Sequence, residues 1–152
     1  SNAMYGVMLR DPIATAKSTV LYNRFGDDKR IIFRGIKAGK VPRLGGHNGL
    51  PDWDTYQHFD NFAVRTLSGH YMAPPGKVTV EHLAVAKKTL EKMDVIMILE
   101  DLGHHLPQVQ AKFGWDPTNV NARRKVNGHG NSNINSTFNP SEQELLRSIN
   151  VH

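Results

Sequence analysis

At 152 residues the chain is long enough to bury the core of one domain, and without a cysteine it can build neither a disulfide framework nor a thiolate metal site. No apolar run reaches the length of a membrane span, and no signal peptide is visible. Nineteen Lys and Arg against fourteen Asp and Glu leave a formal net charge of +5. That balance favours anionic partners such as nucleotides, nucleic acids, sulfated or carboxylated glycans and membrane surfaces, although many domains are mildly basic for solubility alone.

Ser1-Asn2-Ala3 reads as the scar of a cleaved tag, so residues 4–152 are taken as a single domain. That domain opens almost inside an apolar strand, residues 4–9, which predicts that it is truncated at its N-terminus. Val7-Met8-Leu9 stops abruptly at Arg10. A helix is expected over 12–25, with Asp11 as its N-cap, Pro12 at the first helical position and Gly26 closing it. Residues 26–54, rich in Gly, Pro and charge, read as a long loop with a weak strand-like patch at Ile31-Ile32-Phe33. Within it, "GIKAGKV" at 35–41 superficially resembles a nucleotide phosphate loop. It has one residue too few between its glycines and Val41 where a metal-binding hydroxyl is required, so it reads as a basic loop.

The next helix is expected over 55–68, with Tyr56, Phe59, Phe62, Ala63 and Leu67 near one face and Gly69 ending it. "TVEHLAVAKKTLEKM" predicts another, with Thr79 as N-cap and Leu83, Ala86 and Leu90 on one face. Residues 94–100, with five consecutive apolar residues, read as a buried strand. A helix follows from about Asp101 to Phe113, with a regular start near Pro107. Residues 114–140 read as a polar, basic loop rich in Asn and Gly. A final helix begins with Asn139 as N-cap and Pro140 at the first position. Two strands that read as buried on both faces, alternating with helices, predict an α/β domain: a partial parallel sheet flanked by helices. Two strands are few for such a sheet, as an N-terminal truncation would leave it.

Ligands of open parallel sheets sit beyond the carboxyl ends of the strands. Arg10 stands at that end of the first strand, where the free N–H groups and positive dipole end of the following helix also point. Residues 11, 14 or 15, and 18 share one helical face, which puts Ser18 on the flank facing whatever Arg10 contacts. A guanidinium fork and a hydroxyl converging on one point suit a phosphate. On spacing alone, a surface Arg and an ordinary helical Ser remain the simpler alternative. Glu100, at the same sheet edge, reads either as an orienter of Arg10 or as an ordinary strand-end carboxylate.

"LRDPIATAKS" is similar to the 3′-phosphate-binding motif of sulfotransferases, in which an Arg ending a strand is followed eight positions later by a Ser; Arg10 and Ser18 stand at that spacing. "DNFAVRTLSG", "VTVEHLAVAKKTLEKMDVIMILED" and "KFGW" resemble the later part of Golgi-type carbohydrate sulfotransferases, particularly the algal and animal group. The resemblance runs from Met4 to about Asn127. It implies a P-loop nucleotide-kinase-like sulfotransferase fold lacking its N-terminal part. The implied donor is 3′-phosphoadenosine-5′-phosphosulfate (PAPS), leaving adenosine 3′,5′-bisphosphate, with a glycan or other hydroxyl as acceptor. For a eukaryotic full-length parent, a membrane protein, it implies the Golgi lumen.

In that resemblance Arg10 and Ser18 hold the 3′-phosphate, and a late basic loop with Arg124, Lys125 and Gly128 closes over it; a solvated basic loop is the competing reading. Asn61 and Arg65, one helical turn apart, reach acceptor or donor; pairing of Arg65 with Glu100 or Asp101 is the competing reading. The chain departs from the family where a second Arg often stands, at Thr15, and where an aromatic follows the Ser, at Val20. The family's 5′-phosphosulfate loop and usual general base precede residue 4, so no catalytic residue is assigned and an incomplete catalytic set is expected.

His104 and His105 are adjacent and face different sides of a helix, "GHGN" at 128–131 has no spaced partner, and no metal site is expected. His58 or His70 would serve as a base if the acceptor passes their helix. Trp53 and Trp115 would stack on a sugar or pack internally. Two other classes compete: a non-catalytic sulfotransferase-like interaction domain, and a basic nucleic-acid-binding module. The second lacks a fingerprint and a dense basic stripe, so no nucleic-acid partner is expected. A sheet edge left open by truncation would drive self-association.

Overall fold

The structure, a computed structural model, describes residues 3–22, 29–41, 53–116 and 138–150. It is mixed α/β, mostly helical, with one small sheet. Strands β1 (Gly6–Leu9) and β2 (Val95–Ile98) run parallel, with Gly6 opposite Val95 and Leu9 opposite Ile98. Tyr5 brackets the start of the pair: its carbonyl accepts from the N–H groups of Asp94 and Val95, and its own N–H donates to Asp94 Oδ2 at 2.9 Å. The strands are not buried on both faces as expected. Val95 is enclosed, but Met8 and Ile98 remain 48% and 44% exposed.

Helix α1 (Pro12–Tyr22) starts where the sequence places it, and Asp11 Oδ1 accepts the N–H of Ala14 at 2.8 Å. Helix α2 (Lys29–Lys37) replaces the expected loop and strand-like patch. Ile32, Phe33 and Ile36 recur at helical spacing and are buried, whereas Arg30, Arg34 and Lys37 lie exposed. The "GIKAGKV" stretch is therefore the last turn of α2 and its exit. Gly39 takes φ 62°, its N–H donates to Ile36 O, and that of Lys40 donates to Gly35 O. A helix C-terminus presents carbonyls and the negative end of its dipole, the opposite of a phosphate cradle.

The single helix expected over 55–68 is two: α3 (Trp53–Gln57) and α4 (Phe62–Ser68), separated by a turn in which Asn61 adopts φ 50°, ψ 44°. Gly69, at φ 74°, ends α4. Helix α5 (Val80–Leu90) starts at Thr79, whose N–H donates to His82 Nδ1 at 2.9 Å. After β2, a short 3-10 turn (Leu99–Asp101) leads into α6 (Leu102–Phe113), which begins well before Pro107 and carries it inside. Helix α7 (Pro140–Ile149) opens with a reciprocal cap: Asn139 Oδ1 accepts from Glu142 N–H, and Glu142 Oε2 from Asn139 N–H, both at 2.9 Å.

The main core is helical. Ala16 and Val20 of α1, Ile32, Phe33 and Ile36 of α2, and Leu146 of α7 close around Tyr56, Phe59 and Phe138. Phe33 meets Phe59 and Phe138 edge-on, at 6.1 and 5.4 Å between ring centroids. A smaller cluster, Val64, Val78 and Ala86, packs α4 on α5. Among the described residues no helix is long and apolar enough to cross a membrane.

Candidate functional site

Because β1 and β2 are parallel, the residues that follow them emerge at one edge of the sheet. Arg10 follows β1 there, and Glu100 lies just past β2. Arg10 Nε is 3.7 Å from Glu100 Oε1, and the N–H of Asp11 faces both Glu100 oxygens at 3.3 Å. Glu100 is thus the ion-pair partner of Arg10. Their side chains keep 38% and 43% of their surface in solvent, so the pair contributes at most about 1 kcal/mol.

Beside this pair lies a cavity of about 330 Å³. Val7 and Leu9 of β1 and Phe62, Val64 and Leu67 of α4 make its walls apolar, and Arg10, Thr15 and Asn61 supply polar groups. Ser18, half-buried on α1, does not line it. Thr15, less than one turn nearer the start of the helix, lines it instead, as does Thr66 of α4, and the Thr15 hydroxyl makes no hydrogen bond to a described residue. The sequence signal for Thr15 was its place on the same helical face as Asp11.

Asn61 and Arg65, expected at a ligand, are turned to the protein itself. Arg65 is fully buried. Its Nε donates to Asp60 O at 2.6 Å, its Nη1 to the carbonyls of Tyr71 and Ala73, and its Nη2 to Asp60 Oδ2 and Pro74 O. The partner is Asp60, neither Glu100 nor Asp101. The Asp60 carboxylate also accepts from the Tyr56 hydroxyl at 2.6 Å, from Gly76 N–H at 3.3 Å and from Asn61 Nδ2 at 3.0 Å. Burial, then the hydrogen bond and charge of Asp60, push the Tyr56 phenol far above its ordinary 10.0. Asn61 borders the cavity, but its N–H donates to Asn150 Oδ1 at 2.7 Å and its amide to Ile149 O. It ties the start of α4 to the end of α7.

His58 stacks on Phe62, a wall of the cavity, with centroids 4.6 Å apart. The His70 ring sits 4.2 Å from that of His82, with Nδ1 3.0 Å from Ser68 O. Trp115 is 63% exposed and leans on Phe113. Arg124, Lys125 and Gly128 lie outside the described residues. Among the described residues no group of three His, Asp or Glu side chains could hold a metal ion. Comparison of the chain with protein-family models, with curated proteins and with solved structures finds no match.

Proposed function

We propose that the chain is the C-terminal part of a carbohydrate-type sulfotransferase with a P-loop nucleotide-kinase-like fold, which binds PAPS and carries an acceptor glycan hydroxyl. The observation that carries this reading is the position of Arg10. It is a half-exposed guanidinium at the carboxyl end of a parallel strand, beside the start of a helix and on the rim of a cavity. That is the ligand position of open parallel sheets. Arg10 receives the 3′-phosphate. Glu100 holds the guanidinium in place through one exposed contact, which a doubly charged phosphate displaces. Thr15 stands nearest as the hydroxyl partner, with Ser18 further along α1, and Arg124, Lys125 and Gly128 form the loop that closes over the nucleotide.

In sulfuryl transfer the acceptor hydroxyl attacks sulfur in line and the nucleotide phosphate leaves, so the reaction depends on positioning and on cations around the leaving oxygen. The share of these residues is to bind and orient the nucleotide. The Golgi lumen is the compartment this reading implies.

Calorimetric titration with adenosine 3′,5′-bisphosphate tests it. Arg10→Ala removes a charge-assisted contact and weakens binding by on the order of 1.5–3 kcal/mol. Adenosine 5′-monophosphate then binds the wild type no better than the bisphosphate binds Arg10→Ala. Thr15→Val and Ser18→Ala decide which hydroxyl takes part. Equal affinity of wild type and Arg10→Ala for the bisphosphate would reduce the Arg10–Glu100 pair to a clip across the sheet end and overturn the proposal.

A further inference from the structure

The basic excess of the chain is concentrated in one place. Residues 29–40 hold five of the nineteen Lys and Arg and no acid, so the other fourteen balance the fourteen Asp and Glu of the whole chain. These five cations lie on α2 and its exit, against the expectation that no dense basic stripe exists. Arg30, Arg34 and Lys37 are spaced i, i+4, i+7 and line a cavity of about 340 Å³ between α2 and the start of α7. Phe33 and Leu145 contribute apolar lining, and Asn139, Ser141 and Glu142 form the facing wall.

The one carboxylate in that wall is already committed. Glu142 is 3.7 Å from Lys29 Nζ and accepts the N–H of Asn139 in the cap of α7. None of the Arg30, Arg34 and Lys37 side chains has a hydrogen bond or ion pair to a described residue. Like charges one helical turn apart repel, so the row opposes its own helix unless an anion sits on it. The positive end of the α7 dipole faces the same space.

We infer that this cavity binds a small multivalent oxyanion, a molecule carrying two or more phosphate or sulfate groups. Arg30 and Lys37 are about 10 Å apart along the helix axis at ~1.5 Å per residue, a span that suits two linked groups better than one tetrahedral group. Two linked groups satisfy the row. The concave shape and apolar lining favour a compact ligand over a polymer lying across an open face. The site is separate from the one at Arg10, because no residue lines both cavities, and the inference stands whether or not the chain is a sulfotransferase.

Titration of the whole chain with inorganic tripolyphosphate at low and at physiological salt tests it. Wild type binds one equivalent, more tightly than it binds inorganic monophosphate, and the affinity falls with salt. Arg34→Gln weakens binding by about fivefold and the Arg30→Gln, Arg34→Gln double variant by more than tenfold, whereas Lys87→Gln, Lys88→Gln leaves it unchanged. Both variants change exposed residues, and unaltered thermal melting without ligand confirms that they fold. Adenosine 3′,5′-bisphosphate separates the two sites, since its tight binding depends on Arg10 if the sulfotransferase reading holds. Three results overturn the inference: unchanged tripolyphosphate affinity in the double variant, monophosphate binding as tight as tripolyphosphate, or an equal loss on neutralising the distant Lys87 and Lys88. A single-stranded RNA that binds wild type more tightly than tripolyphosphate does also overturns it, in favour of a polymer.

Discussion

Arg10 and Arg65 carry the same side chain and were both ligand candidates in the sequence, yet their surroundings differ in kind. At the end of β1, Arg10 keeps 38% of its side chain in water and faces a single carboxylate at 3.7 Å. Beneath α4, Arg65 has no exposed surface, and its N–H donors meet Asp60 twice and the carbonyls of Tyr71, Ala73 and Pro74. A guanidinium has five N–H donors. Where the protein fills them the residue holds structure together, and where it leaves them open the residue can hold a ligand.

The sharpest way to break this contrast is to truncate both residues. Arg65→Ala leaves Asp60 charged and buried, and costs on the order of 3–5 kcal/mol in urea unfolding. Arg65→Lys recovers little, because an ammonium cannot match the planar fork. Arg10→Ala stays within about 0.5 kcal/mol of wild type. Comparable losses for the two would erase the distinction.

Alkaline unfolding tests the Arg65 region through Tyr56. Its phenol titrates near 10.0 when unfolded and far above that when folded. Above pH 10 the unfolded chain releases a proton that the folded chain keeps. This contribution to stability is therefore complete below pH 10 and is lost as pH rises, by up to roughly 1.4 kcal/mol per pH unit. Tyr56→Phe is less stable than wild type at neutral pH and shows a shallower decline above pH 10. Equal slopes would mean that burial and Asp60 do not hold the phenol neutral.

The smallest effect is expected at the sheet end. Glu100→Gln keeps the shape of the Arg10 contact and removes its charge. It changes stability by less than about 1 kcal/mol and raises affinity for adenosine 3′,5′-bisphosphate, because the anion no longer competes with a carboxylate. Weaker nucleotide binding in this variant would show that Glu100 serves the ligand rather than opposing it.

Features decided by neighbours in sequence were legible. Asp11-Pro12 and Asn139-Pro140 open helices, and Gly69 closes one, because caps depend on a few adjacent dihedrals. Helix α2 was misread because Ile31-Ile32-Phe33 also suits a strand; Ile36, three residues on, carried the helical period. The break between α3 and α4 was not legible. It is set by Asp60, whose partners include Arg65 and Gly76. The burial of Arg65 likewise depends on carbonyls of the 71–74 turn, which no local pattern announces. At the site, the position of Arg10 could be read from the strand end, but whether Thr15 or Ser18 reaches the cavity depends on how α1 is rotated against α4.

Helix α7 borders both cavities. Asn139, Ser141 and Glu142 at its start wall the one beside α2, and Asn150, just past its end, lines the one beside Arg10 while its side chain accepts from Asn61 N–H and donates to Phe59 O. The helix is a strut between the two proposed anion sites. If an occupant of one tightens the helix, the reciprocity of linked equilibria requires that an occupant of the other be favoured to the same degree.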